Sequence, residues 1–225
     1  MSPPRSRPTR TSSRQRRPDA ARAAKALATL GVVAAIALVA LAPTSAGSSA
    51  RPRVTVIGDS ITASFDYVPA AKRYLGKGLD LRSDAVVCRR LVAASCVFEG
   101  ATPATALQVI AAHEKPLGSV VVVNVGYNDW AAVYDVDRVM RALAAAGVTR
   151  AIWVTLRETT TNYARSNARI RAAARRWRTS LVVADWNEHS RGKPWFREDG
   201  LHLTSSGAMG LARLLRPLVV SGTAR

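Results

Sequence analysis

The amino-acid sequence predicts an α/β fold of three layers, in which helices cover both faces of a central parallel sheet of about five strands. Two observations predict it. Four short apolar runs are β-branched and continuous rather than alternating, as strands buried on both faces require; they span residues 54–57, 120–125, 151–156 and 181–184. Ala-rich segments with helical spacing separate these runs, and right-handed crossovers join parallel strands in this arrangement.

The remaining elements follow the same alternation. A fifth strand, with a less purely apolar composition, is predicted at residues 79–87. Helices are predicted from the spacing of apolar residues and the high Ala content; they span residues 61–75, 103–113, 136–146, 164–177 and 205–215. A chain of 225 residues that is 48% hydrophobic is long enough for one sizeable core and short for two. We therefore expect one folded domain, residues 51–225.

Residues 1–50 have the composition of an export segment. They hold eight basic side chains and one acid, a charge of +7, so residues 51–225 carry +11 of the chain's +18. An uncharged apolar run at 26–42 is followed by small residues at 43–50. This order is typical of a signal peptide, while the length of the run also fits an uncleaved membrane anchor. In either case the domain is exported, to be secreted or held at the outer face of the cytoplasmic membrane.

Two cysteines, Cys88 and Cys96, lie close together in the sequence. Outside the cytoplasm we expect them to form a local disulfide, and two free buried thiols are the alternative. None of the histidines pairs with another to complete a zinc site with them. We expect neither a metal nor an organic cofactor.

Several polar residues follow directly after predicted strands. Ser60 follows the first strand, Asn128 and Asp129 follow the 120–125 strand, and the turn at residues 88–90 follows the second. Ligands of such sheets bind outside the carboxyl ends of the strands, where the loops gather. We therefore expect these residues to converge.

A serine becomes a nucleophile when a base takes its proton and a carboxylate orients that base. Of the three histidines, His113 ends a predicted helix and His189 lies in a polar loop. His202 stands three residues after Asp199, so the carboxylate can reach the ring nitrogen that faces away from a serine. Read alone, this pair also fits a capping Asp beside a surface His.

Three short blocks together carry a resemblance to a known family. They are Gly58-Asp59-Ser60, Gly126-x-Asn128-Asp129 and Asp199-x-x-His202, and they span nearly the whole domain. In order and spacing the chain resembles the SGNH/GDSL hydrolases, whose fold is flavodoxin-like. The resemblance implies that Ser60 attacks an acyl carbonyl, that His202 is its base and that Asp199 orients His202. It also implies an oxyanion hole built from the N–H of Ser60, the side-chain amide of Asn128 and the N–H of a glycine.

The third oxyanion donor is where the chain departs from the family pattern. No glycine occurs at residues 86–90, where the family has one. Any residue except proline has a backbone N–H, so Cys88 is the expected donor if its conformation does not demand glycine. Gly100, in a later loop, is the alternative.

Other motifs are absent or open to two interpretations. The sequence lacks the Gly-x-Ser-x-Gly elbow, a phosphate-binding Gly-rich loop and His-Glu-x-x-His. Trp130 and Trp195 flank the blocks and are expected either to bind substrate or to pack in the core. The Arg-rich stretch at 165–178 is expected to be a solvated helix, or else to attract an anionic envelope polymer or membrane surface. No nucleic-acid-binding module is recognisable, so we expect no nucleic-acid partner.

These observations predict an exported serine esterase that hydrolyses carboxylic esters through an acyl-serine intermediate. Short acyl groups are favoured because no long apolar lid separates the blocks, and we expect a monomer that acts on a small-molecule or glycan ester. Two alternatives remain. One is an acyltransferase that uses the same residues to move acyl groups to or from envelope glycans. The other is a carbohydrate-binding protein without activity, which the missing glycine favours.

Overall fold

A computed structural model describes residues 50–112 and 116–224, and a parallel sheet forms the centre of this part of the chain. Its strands are β1 (Arg53–Gly58), β2 (Asp80–Ala85), β3 (Val120–Asn124), β4 (Arg150–Val154) and β5 (Leu181–Ala184). They are all parallel and lie in the order β2-β1-β3-β4-β5. Because the connections change direction between β1 and β3, a crevice opens at the carboxyl ends of these two strands.

Helices cover both faces of the sheet. They are α1 (Ser64–Tyr67), α2 (Pro69–Gly76), α3 (Ala106–Ala112), α4 (Val136–Ala145), α5 (Thr161–Arg176), α6 (Trp186–His189) and α7 (Ser205–Thr223), with a short 3-10 helix at Ala131–Val133. One hydrophobic core joins the sheet to α1, α2, α6 and α7, and a second joins it to α3, α4 and α5. The predicted three-layer α/β/α fold is confirmed.

The two cores explain the continuous apolar strands. Along β3, Val120 and Val122 belong to one core, while Val121 and Val123 belong to the other. Successive strand residues point to opposite faces, so a central strand between two helical layers needs apolar residues at every position. By contrast, β2 lies at the edge and is half-buried throughout, which explains its mixed composition.

Proline changes the helix predicted at residues 61–75. The structure has a turn at 61–63 and then two helices, α1 and α2, which meet at Val68. Pro69 disfavours a helical conformation in the residue before it, and Val68 has φ −124° and ψ 71°. The helix prediction is right in type here and wrong in continuity.

Helix α7 runs further than predicted, to Thr223 instead of residue 215, and Pro217 lies inside it. Proline removes one helical hydrogen bond, but Val219 beyond it is fully buried in the core with α2. The unpredicted helix α6 begins at Trp186 and is capped by Asp185, whose side chain accepts a hydrogen bond from the Glu188 N–H. Tertiary burial and a local cap therefore set these boundaries.

The export segment predicted at residues 1–50 lies, except for Ala50, outside the described residues, as does His113. Within 50–112 and 116–224, no helix has both the length and the apolar character needed to cross a bilayer.

Candidate active site

Ser60 lies in the turn that follows β1, at the edge of the crevice between β1 and β3. The turn is tight: a Cβ at Gly58 would lie 2.1 Å from the Cβ of Thr62. A glycine is therefore required at the first position of the block, because any side chain would collide with the following turn.

Asp59 holds the Ser60 turn against the loop after β3. Its carboxylate is completely buried and accepts hydrogen bonds from the N–H groups of Ile61 (3.0 Å), Gly126 (3.1 Å) and Tyr127 (3.2 Å). Burial raises the pKa of Asp59 to about 6, and the three backbone donors oppose that rise. The second residue of the block thus positions the loops that carry Ser60 and Asn128.

A chain of hydrogen bonds joins Ser60 to Asp199. The Nε2 atom of His202 lies 3.0 Å from the Ser60 Oγ, and its Nδ1 atom lies 2.7 Å from the Asp199 Oδ2. A carboxylate at Nδ1 favours the tautomer that carries its proton there, which leaves the Nε2 lone pair facing the serine hydroxyl. The structure brings together the three residues that the sequence predicts as nucleophile, base and acid.

Asp199 remains ionised because backbone donors surround it. Its Oδ1 atom accepts hydrogen bonds from the N–H groups of Leu201 (2.8 Å) and His202 (2.9 Å). These bonds, together with that to the His202 ring, lower the pKa of Asp199 to about 2. The carboxylate is thus a permanent negative charge beside the imidazole at neutral pH.

Two arginines brace the turn from Asp199 to His202. The Arg157 guanidinium donates to the Gly200 carbonyl and stacks over the Phe196 ring, 3.9 Å from its centroid. The Arg197 N–H donates to the His202 carbonyl at 2.7 Å. Arg157 was not predicted from the sequence, although it lies just beyond the carboxyl end of β4, where functional side chains gather.

The expected oxyanion donors have free hydrogens. The Asn128 Nδ2 atom donates to the Arg89 carbonyl at 3.3 Å, and its other hydrogen has no protein acceptor in the described parts of the chain. Within those same parts, the backbone N–H groups of Ser60 and Cys88 also donate to no protein group. Buried or half-buried N–H groups are normally paired, so these donors are free to bind a further hydrogen-bond acceptor.

Cys88 adopts the conformation expected of a glycine, with φ +69°. This left-handed region is sterically costly for a residue with a Cβ. A disulfide joins Cys88 to Cys96, with 5.2 Å between their Cα atoms, and the Cys96 N–H donates to the Cys88 carbonyl at 3.4 Å. The predicted disulfide is present, and it closes a short loop around this residue.

Arg89 fixes the same turn from the other side. Its side chain is only 3% exposed and donates to the Ala104 carbonyl (3.0 Å), the Asp84 carbonyl (2.6 Å) and the Asp84 carboxylate (2.9 Å). Asp129 accepts the Leu91 N–H through both oxygens, at 3.0 and 3.1 Å. Burial raises the pKa of Asp129 to about 7. The turn after β2 is thereby fixed to the loop after β3.

Gly100 lies at an exposed tight turn between Phe98 and Ala101, whose backbones pair. An oxyanion donor needs a desolvated position, so this exposure favours Cys88 over Gly100.

The two tryptophans named in the sequence analysis lie in different surroundings. The Trp195 ring stacks on Trp186, with centroids 5.6 Å apart, and a Cβ at Gly210 of α7 would lie 2.7 Å from it. Trp195 is therefore a packing residue between α6 and α7. Trp130 is 61% exposed, and the Arg90 guanidinium lies 4.4 Å from its ring centroid. Of the two rings, that of Trp130 is the one exposed to solvent.

The fold resembles those of several solved proteins, esterases among them. A carbohydrate acetylesterase family member from Sinorhizobium meliloti has a TM-score of 0.56 and 18% identity, covering 77% of this chain and 100% of its own. The psychrotrophic esterase EstA from Pseudoalteromonas sp. has 0.54 and 13%, covering 77% and 100%. TesA has 0.50 and 20%, covering 76% and 99%. No protein-family model matches the chain, and no curated protein matches it in sequence.

These likenesses define the class of fold. The chain shares its three-layer α/β/α fold with these solved proteins, in agreement with the fold that the three sequence blocks led us to expect. Identities this low establish the fold, and the chemistry of the site rests on the geometry of Ser60, His202 and Asp199.

Proposed function

We propose that this protein is a serine esterase that hydrolyses carboxylic esters through an acyl-serine intermediate. The observation that carries the proposal is the hydrogen-bonded chain from Ser60 through His202 to Asp199, with contacts of 3.0 and 2.7 Å. The three elements of serine catalysis are a nucleophile, a base within hydrogen-bond reach and a carboxylate that orients the base. The likeness to solved esterases supports the same chemistry.

In the first half of the reaction, the Ser60 Oγ bonds to the carbonyl carbon of the ester while the His202 Nε2 takes the hydroxyl proton. The tetrahedral intermediate then breaks its bond to the alcohol oxygen, which receives that proton from His202 and leaves. Asp199 stabilises the imidazolium that exists between these steps. The product is an ester between the acyl group and Ser60.

In the second half, water replaces the alcohol. His202 takes a proton from water, the water oxygen bonds to the acyl carbon, and the bond to the Ser60 Oγ breaks. The proton returns from His202 to Ser60, and a carboxylic acid leaves. No further reactant is needed, so the enzyme returns to its starting state.

The negative charge on the intermediates needs donors that are in place before reaction. We assign this role to the N–H groups of Ser60 and Cys88 and to the Asn128 side chain. The missing glycine is the sequence feature that favours a protein without activity. The positive φ of Cys88 counts against that alternative, because the backbone has the conformation that a glycine would adopt.

Hydrolysis of 4-nitrophenyl acetate by the purified protein tests the proposal. Ser60→Ala and His202→Ala are each expected to lower kcat by several orders of magnitude, roughly 10⁶-fold where the residues act as a unit. Ser206→Ala, at an exposed position on α7, serves as the matched serine control and should keep full activity. Equal activity of the wild type and Ser60→Ala would refute the assignment. Product analysis with and without a glycan acceptor separates hydrolysis from acyl transfer.

Short acyl chains are the proposed substrates. The loops that carry Ser60, Asn128 and His202 are held by hydrogen bonds of the Asp59 carboxylate, the Asn128 amide and the Arg197 backbone, and the solved carbohydrate acetylesterase family member has the same fold. A series of 4-nitrophenyl esters from acetyl to dodecanoyl is expected to show the highest kcat/KM at the shortest chains. A maximum at eight carbons or more would contradict this preference.

Export is the third part of the proposal. A disulfide persists in oxidising compartments and is rare in the cytosol, which supports a location outside the cytoplasm. Intact-mass analysis of the protein from culture medium and membranes, with thiol alkylation before reduction, is expected to find the Cys88–Cys96 bridge formed. Protein recovered only from the cytosol with two alkylated thiols would contradict it.

A further inference from the structure

Arginines stacked on aromatic rings surround the candidate active site. Each guanidinium lies over a ring contributed by one of the site loops or the adjoining helix: Arg90 over Trp130 at 4.4 Å, Arg157 over Phe196 at 3.9 Å and Arg197 over Tyr67 at 5.0 Å. Stacking of this kind holds a guanidinium in place and leaves its edge free for planar anions.

These arginines have no carboxylate partners within residues 50–112 and 116–224. Each instead donates to backbone carbonyls, of Asn128 and Ala94 (Arg90), Gly200 (Arg157) and Leu203 (Arg197). On α5, by contrast, Arg171 pairs with Asp185 and Arg176 pairs with Asp137. The three arginines beside the site are therefore oriented by backbone carbonyls and form no direct ion pair in the described parts of the chain.

Arg90 is the most favourably placed of the three. Its Nε donates to the Asn128 carbonyl at 2.7 Å and its Nη1 to the Ala94 carbonyl at 3.0 Å. A guanidinium has five N–H donors, so three remain. The nearby buried Asp129 accepts the Leu91 N–H and forms no direct ion pair with Arg90, although the Arg90 charge favours its ionised carboxylate. Arg90 thus joins the residue assigned to the oxyanion to the exposed Trp130.

We propose that the substrate of the Ser60 site is an ester whose alcohol part carries a carboxylate, and that Arg90, held on Trp130, binds this carboxylate. The inference rests on the proposed esterase function. We place the carboxylate on the alcohol part of the ester because the acyl group proposed above is too short to carry it. A planar carboxylate forms a bidentate pair with a guanidinium, and that pair fixes both the position and the orientation of the ester.

Two acetyl esters with related leaving groups test this specificity. One is 4-acetoxybenzoate, which is anionic, and the other is methyl 4-acetoxybenzoate, which is neutral. Each kcat/KM is divided by the rate of alkaline hydrolysis of the same ester, which removes the difference in intrinsic reactivity. The anionic-to-neutral ratio of these values is expected to be about tenfold or more for the wild type, as for a charged hydrogen bond. The 4-nitrophenyl monoester of succinic acid, with its carboxylate on the acyl part, should show no such preference.

Variants of Arg90 assign the preference to that residue. Arg90→Gln is expected to bring the ratio close to one, and Arg90→Lys to restore part of it. If the change at Arg90 also displaces Asn128, hydrolysis of both esters slows, and this common effect cancels in the ratio. Arg178→Gln, at an exposed position after α5, is the matched control and should leave the ratio unchanged. If Arg90→Gln is poorly folded, Trp130→Ala gives the same test, because it removes the support of the guanidinium at an exposed position.

The outcomes separate the two proposals. A high ratio that falls in Arg90→Gln, or in Trp130→Ala, supports carboxylate recognition. A wild-type ratio near one, a ratio unaffected by these changes, or a preference for the succinate ester overturns it. The esterase proposal stands in all of these cases if Ser60→Ala abolishes hydrolysis of the neutral ester, and it fails if that activity survives.

Discussion

The conformation of Cys88 predicts that two variants of this residue have similar stability but different activity. Two double variants remove the disulfide and differ by one methyl group: Cys88→Ala/Cys96→Ser and Cys88→Gly/Cys96→Ser. Both lose the link across a sequence separation of eight residues. A loop of that length gives a disulfide contribution of roughly 2.5 kcal/mol on the chain-entropy account. Both variants are therefore expected to unfold at lower denaturant concentration by a similar amount.

Their activities are expected to differ. At φ +69°, a residue with a Cβ is disfavoured by about 1 to 2 kcal/mol, which corresponds to a population factor of about 5 to 30. Without the disulfide, alanine at position 88 leaves the left-handed region and withdraws its N–H, whereas glycine remains there freely. We expect the glycine variant to have a kcat about 5 to 30 times that of the alanine variant, below the 10²-fold to 10³-fold effect of a fully lost donor.

The assay is the hydrolysis of 4-nitrophenyl acetate, run beside urea denaturation of the same preparations. The wild type under reducing conditions provides a third comparison, since its Cys88 is then free to relax. Equal kcat values for the alanine and glycine variants would refute the reasoning, because the donor would then be indifferent to the residue at position 88. A lower kcat for glycine would refute it as well.

Three further predictions concern ionisation and packing. Asp199→Asn should lower kcat by roughly 10⁴-fold in 4-nitrophenyl acetate hydrolysis without unfolding the protein, because its amide donates to the His202 ring and favours the wrong tautomer; a loss below tenfold would count against an orienting role. Burial raises the pKa of Asp129 from 3.8 to about 7. As the pH rises from about 4 to about 7, the free energy of unfolding of the wild type should therefore fall relative to that of Asp129→Asn, by up to roughly 4 kcal/mol. The same pH dependence of the free energy of unfolding in both proteins, measured with urea, would contradict this. Gly210→Ala should lower the Tm through a loss of roughly 1 to 3 kcal/mol, because its Cβ would lie 2.7 Å from the Trp195 ring; an unchanged Tm would show that Trp195 can move.

Much of the fold was predictable because strands buried on both faces have a recognisable sequence pattern. The continuous apolar runs of β1, β3 and β4 follow directly from burial on both faces. The carboxyl ends of parallel strands share one edge of the sheet, so Ser60 and Asn128 could be expected to meet there. The single helix predicted at residues 61–75 was wrong at Pro69, although the bias of the residue before proline away from helix would have indicated the break.

Other features depend on tertiary contacts that no local pattern carries. The positive φ of Cys88 occurs in a turn that also contains its disulfide and the buried Arg89 side chain, which reaches forward to Ala104. The brace from Arg157 to Gly200 spans 43 residues. The sequence fitted Trp195 equally well to a substrate pocket and to the core. It packs in the core because Gly210 on α7 has no side chain to occupy the space of its ring.

Covalent labelling of Ser60 tests the central claim most directly. EstA, which shares the fold, is inhibited by monoethylphosphonate. An ethyl fluorophosphonate probe loses fluoride when an activated serine oxygen bonds to its phosphorus. We expect a single adduct per chain, located at Ser60 by peptide mass spectrometry, absent in Ser60→Ala and formed far more slowly in His202→Ala. Ester hydrolysis that continues at full rate with Ser60 unlabelled, or an adduct on another residue, would contradict it.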